Sequence, residues 1–217
     1  MTELLAILIA MVVAFISTRS YSLEQVKDVV SPKETQTITR LWEYTSAALK
    51  KQRWDSAERA LLKILKYDHK NVSAYNQLGM IYVRTQQLDN AIACFDIASS
   101  LAPSVSSLYN LGLVQYQSGN YEAASRSLER VVDLEPTTKR RLVFAKILQK
   151  QGKQKRVIDV LEALIKDNPS ERNLRYLAEA YENNKQPQKA EAIYSQVATM
   201  EGEKPALVTP QNTGGSA

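Results

Sequence analysis

The chain holds almost nothing from which a catalytic or metal-binding group could be assembled. It has one cysteine, Cys94, and one histidine, His69, so neither a disulfide framework nor a metal site built from those two residue types can form within it. Glu179 and Glu182 have the spacing of neighbours on one helical face. Two carboxylates could serve as general acid and base, but nothing near them supplies a nucleophile, a metal or a base to complete a mechanism. The remaining reactive feature is charge: Lys139, Arg140, Arg141, Lys146, Lys150, Lys153, Lys155 and Arg156, with no acid between Glu135 and Asp159. Such a cluster captures anions, either an acidic protein segment or anionic lipid headgroups, with nucleic acid the weakest of the three partners. On this reading the chain is a binding protein, not an enzyme, and needs no cofactor. With 217 residues, 44% of them hydrophobic, and a net charge of +5, it can bury a core and is not disordered throughout.

The elements that must position these cations are legible in a repeat. Pro103, Pro136 and Pro169 are spaced 33 apart, as are Gly79 and Gly112, and again Gly119 and Gly152. Ala57, Ala91, Ala124 and Ala190 follow at intervals of 34, 33 and 66, with Val157 at the vacant midpoint. A period of 33 or 34 belongs to stacked helix pairs. The stretch 72–104 carries Tyr75, Leu78, Gly79, Tyr82, Ala91, Phe95 and Pro103, and 105–137 carries Leu111, Gly112, Gly119, Asn120, Tyr121, Ala124, Leu128 and Pro136. These residues resemble the tetratricopeptide repeat at every spacing, with Tyr in place of the family's Trp, while the T-P-L-H-x-A pattern of ankyrin is absent. Fainter copies precede and follow: Leu41, Tyr44, Trp54 and Ala57; then Ala145, Gly152 and Pro169; then Leu177, Ala178, Tyr181, Ala190 and Tyr194.

The resemblance implies an all-α, right-handed α-solenoid of about five helix-turn-helix units at 38–71, 72–104, 105–137, 138–170 and 171–203, behind a single hydrophobic N-terminal helix. The physics agrees with the family. Gly or Ala at the eighth place of a unit and Ala at the twentieth are small so that two antiparallel helices can approach. Each closing proline ends a helix, and neighbouring hairpins bury faces that one hairpin could not. The second unit's later helix (Ala91, Ile92, Ala93, Cys94, Phe95, Ile97, Ala98) is apolar nearly all round, as expected of a helix sandwiched within a stack.

Before the repeats, Leu4 to Ile16 is a run of thirteen apolar residues. As a helix it measures about 22 Å, short of a hydrocarbon core of roughly 30 Å, a gap that thinning or snorkelling of Arg19 can close. Residues 1–20 read as a membrane anchor, with a cleaved signal peptide as the alternative. The start carries Glu3 and no basic residue, and no small-x-small cleavage site follows, which favours the anchor. Arg19, Lys27 and Lys33 on its C-terminal side place the repeats in the cytoplasm, against a periplasmic or secreted alternative. Ala6, Ala10 and Ala14 share one side of the helix and would permit self-association there. Residues 21–37 read as a juxtamembrane linker with a short helix, Ser31 to Glu34 forming a capping box, and 204–217 as a disordered tail.

In tetratricopeptide proteins the first helix of each unit lines a concave groove. The resemblance therefore implies a protein-binding surface of Asn76, Met80, Val83 and Arg84, then Tyr109, Leu113 and Tyr116, with Asn110 beside them. It continues through Lys139, Leu142, Lys146, Gln149 and Lys150 to Arg172, Arg175, Glu179, Glu182 and Asn183. A groove running from apolar into basic suits a peptide with hydrophobic anchors followed by acidic residues. The family's two-carboxylate clamp is not matched: Asn110 and Lys139 fit it, but Asn76, Met80 and Val143 stand where Lys, Asn and Arg are required. The implied function is a membrane-tethered scaffold or adaptor. The alternatives are an exported repeat protein of envelope or appendage assembly and a non-catalytic regulatory subunit of an enzyme.

Overall fold

The structure, a computed structural model, describes residues 31–202. The hydrophobic segment 1–20, the first part of the linker 21–37 and the tail 204–217 lie outside the described residues. Among the described residues there are ten helices and no strand: α1 (Pro32–Lys50), α2 (Trp54–Tyr67), α3 (Val72–Arg84), α4 (Leu88–Leu101), α5 (Val105–Gln117), α6 (Tyr121–Leu134), α7 (Thr138–Lys150), α8 (Gln154–Asp167), α9 (Glu171–Asn183) and α10 (Pro187–Gly202). None of them is long and apolar enough to cross a membrane. The chain divides between Ser107 and Leu108, inside α5, into an N-terminal and a C-terminal compact unit.

The same local signals recur at each helix boundary. Every first helix of a hairpin is capped by a short polar side chain that accepts a hydrogen bond from the amide three residues on: Ser31, Asn71, Ser104, Thr137 and Ser170. Pro103, Pro136 and Pro169 each sit immediately before such a cap, and the residues before them, Ala102, Glu135 and Asn168, are extended, as the proline ring demands. Each hairpin turns through one residue of positive φ: Gln52, Gln86, Gly119, Gly152 and Lys185. The turn requires the left-handed conformation in all five, yet only two have the glycine that adopts it without strain.

Helix pairing follows the small residues. A Cβ built on Gly79 would stand 2.7 Å from the Phe95 ring, and one on Gly112 would stand 1.7 Å from Leu128 Cδ2. Thr45, Ala145 and Ala178 occupy the equivalent place in the other hairpins and are all buried. Across from them Ala57, Ala91, Ala124, Val157 and Ala190 are also buried. In the N-terminal unit Leu61, Ile64, Leu78 and Ile81 form a core closed by Trp42, Trp54 and Tyr75. In the C-terminal unit Leu128, Phe144, Leu148, Leu161, Leu174 and Leu177 do the same.

The capping box starts the stack's first helix, as its residues predict, while the boundary drawn at residue 38 and the enclosure expected of α4 meet a different outcome. The first helix runs unbroken from Pro32 to Lys50, through the boundary drawn at residue 38, because the capping box and the proline set its start: Ser31 Oγ accepts from the Glu34 amide and the Glu34 carboxylate accepts from the Ser31 amide at 2.9 Å. α4 is not enclosed all round. Ala91, Cys94, Phe95, Ala98 and Ser99 are buried, but Ala93 is exposed and Ile97 stays 40% exposed, because the helix packs through one face and leaves the opposite one to water.

Gly152→Ala is expected to cost about 1 kcal/mol, all of it backbone strain, since no atom lies within 4 Å of the added Cβ. Gly112→Ala should cost about 2 to 3 kcal/mol through overpacking against Leu128. Lys185→Gly, which relieves a positive φ, should raise stability by about 0.5 kcal/mol. Urea unfolding followed by circular dichroism would read all three.

Candidate protein-binding groove

α7 and α9, the first helices of the fourth and fifth hairpins, border a cavity of about 700 Å³. The i, i+3, i+4 spacing of a helix brings Lys139, Leu142, Val143, Lys146 and Gln149 to it from α7, and Arg172, Tyr176, Glu179, Ala180 and Asn183 from α9. Its base is apolar and buried, formed by Ala145, Val157, Leu161 and Ala180. Its rim carries the exposed side chains Lys139, Lys146, Arg172 and Glu179.

The basic cluster separates into two classes. Arg140 pairs with Glu135 at 2.6 Å, Arg141 with Asp167 at 2.6 Å and Lys153 with Glu122 at 3.2 Å. Arg156 pairs with Glu129 and lies over the Phe144 ring. Arg141, with its side chain only 12% exposed, also donates to the Ala163 carbonyl, so it ties α7 to α8. The expectation that all eight cations form one anion-binding surface is therefore corrected: Glu135, just before the cluster, neutralises Arg140, and acids of α6 and α8 distant in sequence neutralise the other three. Lys139 and Lys146 make no ion pair among the described residues, and neither does Arg172. Lys146 Nζ lies 6.0 Å from the centre of the Tyr116 ring. Arg172 lies 5.7 Å above the Tyr176 ring and donates to its hydroxyl, which holds the guanidinium in place without removing its charge.

Of the other residues expected in the groove, Lys150 is exposed but does not line the cavity, and Arg175 pairs with Glu171 beside it. Tyr109, Asn110, Leu113 and Tyr116 are half-buried on α5, with the Tyr116 ring 5.5 Å from that of Tyr121. Asn76, Met80, Val83 and Arg84 belong to the N-terminal unit, where Met80 is 51% exposed. Sequence reasoning missed Tyr176, Val143 and Ala180 as lining residues. Tyr176 follows Arg172 by one helical turn, and that spacing was the signal that could have found it.

No group of His, Cys, Asp and Glu among the described residues is placed to hold a metal ion. Cys94 is a free, buried thiol, pushed up to about 11 by burial first and by Glu58 second, and so is a poor nucleophile at neutral pH. Two tyrosines join successive hairpins through their hydroxyls. Tyr82 donates to Glu58 at 2.8 Å, and Tyr181 donates to Glu162. Burial, then the hydrogen bond to the carboxylate, raises each hydroxyl to about 12.

Comparison with known families places these hairpins. A family profile described as "Tetratricopeptide repeat" matches residues 46–106, and one described as "Anaphase-promoting complex, cyclosome, subunit 3" matches residues 84–164. The chain carries tetratricopeptide repeats. No curated protein matches it in sequence. Among solved structures, one titled "Crystal structure of MamA protein" superposes with a TM-score of 0.67 at 22% identity, covering 81% of this chain and 100% of that one. A MamA from Desulfovibrio magneticus RS-1, residue 41 to the end, superposes at 0.64 with 15% identity, covering 82% of this chain and 100% of its own. Identities this low establish the all-α tetratricopeptide fold and nothing beyond it.

The two tyrosine links give the repeats an alkaline limit. A raised hydroxyl pKa stabilises the folded state fully below pH 10, the ordinary tyrosine value, and that stabilisation is lost as pH rises toward 12. Tyr82→Phe and Tyr181→Phe should each cost about 1 kcal/mol at pH 8. In thermal melts, each should also flatten the decline in stability between pH 10 and pH 12.

Proposed function

We propose that the chain is a non-catalytic scaffold that docks a segment of a partner protein in the cavity between α7 and α9. The observation that carries this reading is one site combining an apolar base with three cations, Lys139, Lys146 and Arg172, that make no ion pair among the described residues. An apolar side chain of the partner would fill the base, and its carboxylates would meet Lys139, Arg172 and Lys146. Glu179 and Asn183, at the C-terminal end of α9, give the opposite end of the cavity a polarity that favours a cation or a hydrogen-bond donor of the partner. Tyr109, Leu113 and Tyr116 extend the reading to further anchors within the C-terminal unit.

The scaffold is tethered, on this proposal, by the apolar residues 4–16, with the repeats on the cytoplasmic side. The run of apolar residues and the basic residues Arg19, Lys27 and Lys33 after it support this. Resistance of the full chain to carbonate extraction is expected. Release into the supernatant would remove the tether and leave the docking site untouched.

A photo-crosslinking residue placed at Leu142 or at Tyr176 should capture a partner peptide in which acidic residues flank an apolar one. The double variant Lys139→Glu, Arg172→Glu should weaken that capture at least tenfold, about 1.4 kcal/mol, with helix content unchanged. Capture that ignores both charge reversals would reject the site.

A further inference from the structure

We propose that the first hairpin carries a second site, specific for a phosphate group, on the face shared by the middle of α1 and the first ten residues of α2. Thr37, Arg40 and Tyr44 from one face of α1 meet Ser56, Arg59 and Lys63 from one face of α2 around a cavity of about 360 Å³, with Leu41 and Ala60 beneath. Three cations and three hydroxyls surround it, of which the Thr37 hydroxyl already donates to the Lys33 carbonyl, and no carboxylate lines it. Phosphate takes charge-assisted hydrogen bonds from such donors.

The second and fifth hairpins show this place filled and buried, whereas the fourth carries Arg140 there, neutralised by Glu135. Arg40 and Tyr44 correspond to Ala74 and Leu78 in the second hairpin and to Asn173 and Leu177 in the fifth. All four of these are buried, Ala74 and Leu78 packing into the same core as Leu61 and Ile64 of the preceding helix. In the first hairpin the place is open, and Tyr44 is 56% exposed. An open end needs polar residues for solubility, and both signs of charge serve that purpose equally. α10 uses both, with Lys189 and Glu191 exposed together. Around the first hairpin's cavity there is one sign only. Over residues 31–67 there are eight Lys or Arg against four Asp or Glu, a surplus of four in a chain whose net charge is +5. Two of those four acids are already engaged, Glu34 in the capping box and Glu58 by Tyr82, and Glu43 and Asp55 lie outside the lining.

The source of phosphate follows from the tether, and this part alone rests on that reading. Residues 17–31 separate the apolar run from α1, and fifteen residues span at most about 50 Å. The cavity is then within reach of lipid headgroups, and Tyr44 is a residue type that favours the membrane interface.

The chain supplies its own probe, because its two tryptophans, Trp42 and Trp54, both lie in this hairpin. The full chain in phosphatidylcholine nanodiscs should show unchanged tryptophan emission. Discs with about one part in three phosphatidylglycerol should shift it, and about 1 M salt should abolish the shift by screening. The triple variant Arg40→Gln, Arg59→Gln, Lys63→Gln should lose the shift, while Lys50→Gln, Lys51→Gln, which removes charge from the same hairpin outside the cavity, should keep it. Equal emission in both kinds of disc, or equal loss in both variants, overturns the site. A saturable shift with glycerol phosphate in detergent alone supports the site and assigns it a soluble phosphate in place of a lipid. If carbonate extraction releases the chain, the same comparison with added vesicles still tests the cavity, so a failed tether and a failed site are told apart.

Discussion

The structure depends on how closely two helices of a hairpin can approach where a small residue meets a large one. At Gly79 against Phe95 and Gly112 against Leu128 even one methyl group would not fit. At Ala178, the equivalent place of the fifth hairpin, Ala is accommodated and stays buried. That contact sets the distance between the helices of each pair. It thereby places leucines such as Leu78 and Leu177 where they are buried against the hairpin before. If the helices were pushed apart, the apolar layer would open together with the rims of the cavities above it.

The turn and cap chemistry serves the same end. A hairpin whose helices must meet at one fixed pair of residues cannot tolerate a slip of one position, because a slip would rotate each helix by about 100°. The five polar N-caps and the five positive-φ turn residues hold the register. Gln52, Gln86 and Lys185 accept strain that Gly119 and Gly152 avoid. Packing on either side of those turns is strong enough to impose the conformation on residues that resist it.

Charge is handled as carefully as packing. In the fourth hairpin Arg140, Arg141, Lys153 and Arg156 are partnered, and they join α7 and α8 to their neighbours. Among the described residues Lys139 and Lys146 make no ion pair, and both stand on the rim of a cavity with an apolar base. Paired and unpaired cations thus lie side by side on α7, distinguished by which neighbour each side chain reaches.

The repeat, the hairpin boundaries and the small residues at helix crossings were legible in the amino-acid sequence because each rests on local chemistry repeated at a fixed period: a proline before a cap, a glycine at a turn, an alanine at a crossing. The family's groove positions picked out Lys139, Leu142, Lys146, Gln149, Arg172, Glu179 and Asn183, and these seven line one cavity. Which cations are free was not legible. Arg141 meets Asp167, Arg156 meets Glu129 and Lys153 meets Glu122 across separations of 26, 27 and 31 residues, so only the stacking of neighbouring helices brings the charges together. The same stacking buries Ala74 and Leu78 but leaves Arg40 and Tyr44 open in the first hairpin, a distinction made by what packs against a helix and not by the helix itself.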